Sequence, residues 1–437
     1  MLSALSTDLY EFTMIGGYYV AGLTGRATFD LYVRHLPSSR QFLIAAGIEQ
    51  ALEFLEGLRF TSQDVGFLRS VPSLAPLPPA FFDDYLANFR FTGDVWAVEE
   101  GTPIFPLEPL LRVTAPLAEA QVVETALIAQ TMFQTSVASR AARVVEVAAG
   151  RSVMEFGARR AHGVEAGIHA ARAAYLAGFD ATSVVEAGRR FGIPLSGTMG
   201  HSWVMAFPDE ATAFRRYAET FGDRAVFLLD TYDTIAAARM VAASGMKPRA
   251  VRLDSGDIIA LSREVRQILD SHGLRDTTIV ASGDLDEWRI AEIVESAAPV
   301  DSFGVGTAVS TSSDAPALSG VYKLAEIERD GRFIPVMKQS AGKQTYPGRK
   351  QVWRVLRDGM AVEDVIGLAD EATPKDARPL LTQVMTAGVR VAAPPLHELR
   401  ARRAEQVGML PPPLRRLRDG TTYPVRISDA LQRAIDS

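Results

Sequence analysis

From Ser152 onward, short apolar runs alternate with amphipathic helical stretches, and this alternation constrains the fold more than any other feature of the chain. Strands are expected at residues 153–156, 181–184, 195–198, 225–229, 250–253, 278–281, 302–305 and 321–324. Most intervals between them carry a helical pattern. Residues 257–272, for example, put Ile258, Leu261, Val265 and Ile268 on one face. Strand, helix and strand at this spacing imply βαβ units, because a parallel return needs a crossover long enough to hold a helix. With about eight such units, a closed or nearly closed α/β barrel fits better than an open doubly wound sheet. Neither a dinucleotide-binding G-x-G-x-x-G nor a P-loop follows any expected strand.

The flanks read differently. Residues 47–58 have helical spacing with Ile48, Leu52 and Leu55 on one side, 71–79 is a proline-rich connection, and 94–99 and 110–114 read as strands. The alanine-rich stretch 117–150 reads as two helices. Beyond about residue 330 the alternation stops. Residues 335–338 and 352–355 look like strands, and the remainder is rich in proline and arginine. The expected division is a barrel over residues 116–330 and a second domain in which 331–437 returns to pack beside 1–115.

Composition removes several classes of function. The chain has 437 residues and no cysteine, which excludes disulfides, thiolate metal sites and cysteine nucleophiles. Its net charge is −6 with acids and bases interspersed, unlike the basic stripe of a nucleic-acid binder. The N-terminus lacks the basic and apolar regions of a signal peptide, and no run is long and apolar enough to cross a membrane. A cytoplasmic protein is expected.

In a βα barrel the chemistry sits at the C-terminal ends of the strands. Those positions here carry Gly157, Arg159 and Arg160; Gly197, Thr198, Gly200, His201 and Ser202; Asp230 to Asp233; Arg252, Asp254, Ser255 and Asp257; Ser282, Gly283 and Asp284; and Gly304, Gly306 and Thr307. Any one of these sets would pass as an ordinary polar turn. Six in succession point to an anionic, polyoxygenated ligand. Gly304 and Gly306 allow backbone N–H groups to approach phosphate oxygens, with the Thr307 hydroxyl as a further donor, although a structural turn reads equally well. The Arg252 fork suits a carboxylate held by two parallel hydrogen bonds, or else a salt bridge to Asp254 or Asp284 at the barrel mouth. Asp254 and Asp257 suit ribose hydroxyls or a magnesium-bound diphosphate; Asp257 suits a helix N-terminus as well. His201 lies in a glycine-rich loop, where an imidazole can accept a phosphoryl group or shuttle a proton.

Eight stretches then resemble one family in order along the chain. They are Thr-Asp-Leu-Tyr-Glu-Phe-Thr-Met (7–14), Glu-Phe-Gly-Ala-Arg-Arg-Ala (155–161), Gly-Thr-Met-Gly-His-Ser (197–202), Arg-Leu-Asp-Ser-Gly-Asp (252–257), Phe-Gly-Val-Gly-Thr (303–307), Gly-Val-Tyr-Lys-Leu (320–324), Gly-Lys-Gln-Thr-Tyr-Pro-Gly (342–348) and Tyr-Pro-Val-Arg-Ile-Ser (423–428). Together they resemble the nicotinate phosphoribosyltransferases. The resemblance implies an irregular α/β barrel, a sandwich-like α+β domain built from both chain ends, and a homodimer with shared active sites. It implies His201 as the residue phosphorylated by ATP, Tyr10, Thr198 and Arg252 at nicotinate, and Thr307 at the phosphate of phosphoribosyl pyrophosphate. Arg159, Asp254, Ser255, Asp284, Gly304 and Gly306 are further expected site residues. Magnesium is expected on the diphosphate, with no protein ligand assigned. Nicotinamide enzymes share the barrel and the histidine but typically carry serine where this chain has Leu9, which favours the acid over the amide.

Three rivals remain on the residues. One is the same class acting on nicotinamide or quinolinate. Another is a non-catalytic nucleotide-sensing barrel, against which His201, Arg252 and Asp254 together count. The third is a Schiff-base aldolase, which needs a strand-end lysine, whereas the expected strands offer only Lys323, inside a strand.

Overall fold

The computed structural model describes residues 2–338, 345–391 and 394–436. Residues 342–344 of the 342–348 motif lie outside the described residues. The chain forms two compact units, one spanning Val137–Pro316 and the other joining the residues up to Ser136 with those from Ala317 onward. Among the described residues no helix is long and apolar enough to cross a membrane.

The Val137–Pro316 unit is built on a curled, half-barrel parallel sheet. Its six strands run in the order Ala181–Thr182, Ser152–Glu155, Ser302–Val305, Thr278–Ala281, Ala250–Leu253 and Val226–Leu228. Val153, Phe227, Leu228, Val251, Leu253, Ile279, Phe303 and Val305 are all buried. A parallel sheet covered on both faces requires such continuous apolar runs. Helices Val164–Leu176, Thr234–Ala243, Ile258–Ser271 and Glu287–Glu295 lie between successive strands. Three of the strand-end aspartates begin helices: Asp233, Asp257 and Asp286 each accept backbone N–H groups of the first turn. Asp257 is therefore a helix cap.

Two expected strands differ. Residues 195–198 supply a single parallel bridge, Leu195 to Thr182, rather than a full strand. Residues 321–324 do not join the parallel sheet at all. They lie in strand Gly320–Arg329, which pairs antiparallel with Arg26–Val33. The physical reason is a hairpin: Asp330 and Gly331, both at positive φ, turn the chain straight back into strand Arg332–Pro335. Asp-Gly is the favoured pair for such a turn.

The other unit carries a seven-stranded antiparallel sheet, in the order Arg332–Pro335, Gly320–Arg329, Arg26–Val33, Leu111–Pro116, Asp94–Val98, Leu381–Thr386 and Val389–Arg390. A four-stranded sheet holds Lys350–Arg357 and Met360–Leu368 between Ala377–Pro379 and Val425–Ile427. Inside it, the fully buried Arg354 forks onto Asp364 at 3.0 and 2.6 Å, and Tyr423 donates to the same carboxylate at 2.9 Å. The expected helical pair over 117–150 is Leu117–Val122 followed by Glu124–Val147.

Candidate active site

The C-terminal ends of the parallel strands surround a cavity of about 620 Å³. Its lining includes Arg159, Arg160, Thr198, Arg252, Asp254, Asp284, Gly304, Gly306 and Thr307, so the structure gathers most of the expected site residues in one place. Phe156, Ser183, Ser196, Met199 and Ser282 line it too. All of these residues belong to the Val137–Pro316 unit.

Arg252 is the last residue but one of strand Ala250–Leu253. Its Nη1 donates to the Thr198 hydroxyl at 2.6 Å. Nε stands 4.0 Å from Asp254 Oδ1 and is buried without a hydrogen-bond partner among the described residues. Burial pulls the guanidinium below its usual pKa, and the negative charges of Asp254 and Asp230 oppose that pull. An arginine so placed holds an unused, partly desolvated donor beside a polar cavity, which is what a ligand carboxylate needs.

Asp254 is held by one hydrogen bond and faces His201. Ser282 donates to its Oδ1, and His201 Nε2 lies 3.9 Å from Oδ2. The other ring nitrogen of His201, Nδ1, is 3.2 Å from the Thr231 hydroxyl. His201 opens helix His201–Met205 directly after Gly200, and its side chain stays 41% exposed. An imidazole with one ring nitrogen bonded to a hydroxyl and the other open to solvent near a carboxylate is suited to accept and release a phosphoryl group. The turn beyond strand Thr278–Ala281 is locked by sterics: Gly283 has φ +84°, and a methyl there would overlap the carbonyl oxygen of Asp254. Asp284 follows at φ +47°, so two successive left-handed residues aim this loop.

Three expected residues are not part of the cavity lining, and the first is His201, which stands 3.9 Å from the lining residue Asp254. The Ser255 hydroxyl donates to Asp230 Oδ2 at 2.5 Å and is not part of the cavity lining. Tyr10 sits on helix Leu9–Val20 of the other unit, 46% exposed. Among the described residues no group of three or more His, Asp or Glu side chains is placed to hold a metal ion.

Comparison with known proteins agrees along the length of the chain. Residues 5–131 match the nicotinate phosphoribosyltransferase N-terminal domain, 151–365 the nicotinate phosphoribosyltransferase family, and 372–435 its C-terminal domain. The chain belongs to the nicotinate phosphoribosyltransferase family. A nicotinate phosphoribosyltransferase of Mycobacterium tuberculosis is 45% identical over 98% of this chain and 92% of its own length. The Bacillus subtilis enzyme of that name is 41% identical over 91% of this chain and 83% of its own. The crystal structure of human nicotinic acid phosphoribosyltransferase superposes with a TM-score of 0.87 at 30% identity, covering 98% of this chain and 99% of that one. A nicotinate-nucleotide pyrophosphorylase from Pyrococcus furiosus superposes at 0.75 with 27% identity, over 93% and 95%. One fold thus carries two enzyme names, so the choice of base has to be argued from the nicotinate phosphoribosyltransferase site itself.

Signals for the missed residues differ. Ser282 belongs to the strand-end series, but a lone serine there carries no charge to set it apart from a turn residue. Ser183 and Ser196 follow a two-residue strand and a lone bridge, where a serine looks like any turn residue. Phe156 read as the end of an apolar strand.

Proposed function

We propose that the cavity binds nicotinate and phosphoribosyl pyrophosphate side by side. The chain then makes nicotinate mononucleotide and pyrophosphate, coupled to ATP hydrolysis to ADP and phosphate, as the first step of NAD salvage from nicotinic acid. The carrying observation is Arg252, whose buried Nε lacks a hydrogen-bond partner among the described residues, in a cavity lined by two further arginines, hydroxyls and glycines. Arg252 and Thr198 hold the nicotinate carboxylate. Arg159, Gly304, Gly306 and Thr307 hold the phosphoribosyl group. The pyridine nitrogen attacks the anomeric carbon as its bond to the diphosphate breaks and pyrophosphate leaves with the electron pair. The sugar carbon becomes cationic, so positioning and charge account for most of the rate. Asp254 and Asp284 are the cavity-lining carboxylates nearest in kind to what ribose hydroxyls and a diphosphate-bound cation require. Magnesium, bound through the diphosphate, would supply charge neutralisation of the leaving group.

In the coupled step the γ-phosphoryl of ATP passes to a ring nitrogen of His201 and ADP departs. Water later cleaves the phosphohistidine. We further propose a cytoplasmic homodimer in which Tyr10 completes the neighbouring subunit's site. The curled sheet serves as an irregular α/β barrel, and the antiparallel sheets from both chain ends as a sandwich-like domain. A product assay with nicotinate, nicotinamide and quinolinate in parallel, with and without ATP, tests the reading. Nicotinate mononucleotide formed from nicotinate and stimulated by ATP is expected; preferential use of either other base would overturn it.

A further inference from the structure

Beneath the cavity lies an acid to which the reaction assigns no step. Glu155 ends strand Ser152–Glu155 and is 0% exposed. In the sheet it pairs with Val305 on one side and Thr182 on the other. The next residue along each of these three strands is Phe156, Gly306 or Ser183, and all three line the cavity. Glu155 therefore occupies the row directly under the rim.

Its carboxylate joins two of the loops above it. Oε1 accepts the Gly157 N–H at 2.5 Å, and Oε2 accepts the Thr182 hydroxyl at 2.7 Å. The Thr182 hydroxyl oxygen in turn accepts the Val184 N–H at 3.1 Å. The backbone carbonyl of Glu155 takes the Ser183 N–H at 3.0 Å. Among the described residues no cation pairs with it, and burial pushes its pKa up. A buried unpaired acid under an anion-binding cavity is unfavourable twice over, by desolvation and by repulsion of the ligand. Only a carboxylate, however, accepts on both of its atoms at once; an amide accepts on one. Gly157 opens the Ala158–Arg160 turn, which carries Arg159 and Arg160. That turn also lies tight against the last loop: a methyl at Gly157 would overlap Ser310 Oγ, and Ser310 donates to the Gly157 carbonyl at 3.2 Å.

We propose that Glu155 is a positioning residue for the phosphoribosyl donor, fixing the Arg159–Arg160 turn and the Ser183 turn against the Gly306–Thr307 loop. This rests on the reading that phosphoribosyl pyrophosphate occupies the cavity. Its effect falls on the donor and spares nicotinate, because Arg252 and Thr198 come from other strand ends and make no hydrogen bond to Glu155.

The test uses the full-length enzyme with Glu155→Gln and Glu155→Ala, measuring kcat, KM for each substrate and the melting temperature. For Glu155→Ala, loss of the clamp is expected to raise KM for phosphoribosyl pyrophosphate by about 10-fold or more, one hydrogen bond's worth or above, with KM for nicotinate nearly unchanged. Glu155→Gln keeps one acceptor and should fall between. A lowered melting temperature with an unchanged donor KM, or equal rises in both KM values, would overturn the proposal. If Glu155→Ala does not fold, Glu155→Gln alone decides by the same contrast. If the wild-type enzyme forms no nicotinate mononucleotide from this donor, the functional reading fails; a working wild type with a donor KM indifferent to both substitutions removes only the role of Glu155.

Discussion

Arg252 donates to the Thr198 hydroxyl at 2.6 Å, tying the end of strand Ala250–Leu253 to the loop that leads into His201. Under the proposed function, the base-binding group and the energy-coupling loop are thus one hydrogen bond apart. Removing the guanidinium leaves a buried carboxylate unpaired, at a cost of about 2–5 kcal/mol. Arg252→Ala should therefore raise KM for nicotinate by roughly 30-fold or more, with Arg252→Lys a poor substitute. Thr198→Val, which removes one neutral partner, should cost about 1 kcal/mol. A wild-type enzyme that used nicotinamide as readily as nicotinate would sink the carboxylate clamp.

His201 is expected to take up label from the γ-phosphate of ATP as an acid-labile adduct. His201→Ala should abolish the label and keep some ATP-independent transfer, because the imidazole is not the nucleophile at the sugar. Undiminished labelling in the variant would show that another residue is phosphorylated.

The expected legibility of such a site is uneven, and the reasons are physical. The Arg252, Asp254, Thr198, Gly304 and Thr307 positions could be picked out because βα units gather strand ends, whatever the loops between them do. Nothing in the helical surroundings of Tyr10 marks it as a site residue; only the family resemblance of residues 7–14 does. Ser255 looked equivalent to its neighbour Asp254 and turned instead to Asp230, a choice made by side-chain partners that spacing does not reveal. The placement of Gly320–Arg329 was readable from Asp330-Gly331, a hairpin signal outweighed by the preceding run of βα units. The two left-handed residues at Gly283 and Asp284 depend on how close Asp254 comes, which is tertiary.

Gly283→Ala combines positive φ with overlap onto the Asp254 carbonyl. Strain and overpacking together should cost at least about 2 kcal/mol. A drop in melting temperature is expected, with loss of activity as Asp254 shifts. A variant as stable and active as the parent would mean that the turn relaxes freely.

Glu11 supplies a pH dependence. It is buried, accepts from Gln121 at 2.8 Å, and burial, reinforced by Glu124 and Asp8, pushes its pKa up to about 7. A raised carboxyl pKa favours the protonated form in the folded protein. Its contribution to stability is full below the unfolded value near 4.5 and is lost as pH rises through about 7. Glu11→Gln has no such loss, so its melting temperature relative to wild type should rise between about pH 5 and pH 8. A difference that stays constant over that range would rule this out.

Mixing variants tests the shared site. Tyr10→Ala and Arg252→Ala should each be nearly inactive alone. In a mixed two-fold dimer with sites shared across the interface, one site carries both changes and the other neither. Random reassortment then restores about a quarter of wild-type activity. No recovery, after mass spectrometry confirms mixed dimers, would place each site within one chain.

The parallel sheet has a seam. Strand Val226–Leu228 is hydrogen-bonded to a neighbouring strand on one side, and the opposite edge of the sheet ends in the lone Leu195 bridge. From Leu195 to Phe214, which stacks on Phe227, no stretch is part of a strand ladder. His201 lies in this interval. Opening a sheet elsewhere breaks several backbone hydrogen bonds together, whereas residues 197–213 make their backbone hydrogen bonds among themselves and can shift without breaking one to the sheet. A deformation that is cheap in backbone hydrogen bonds is therefore one that moves His201, which under the proposed reaction has to meet a nucleotide, let it go and then meet water.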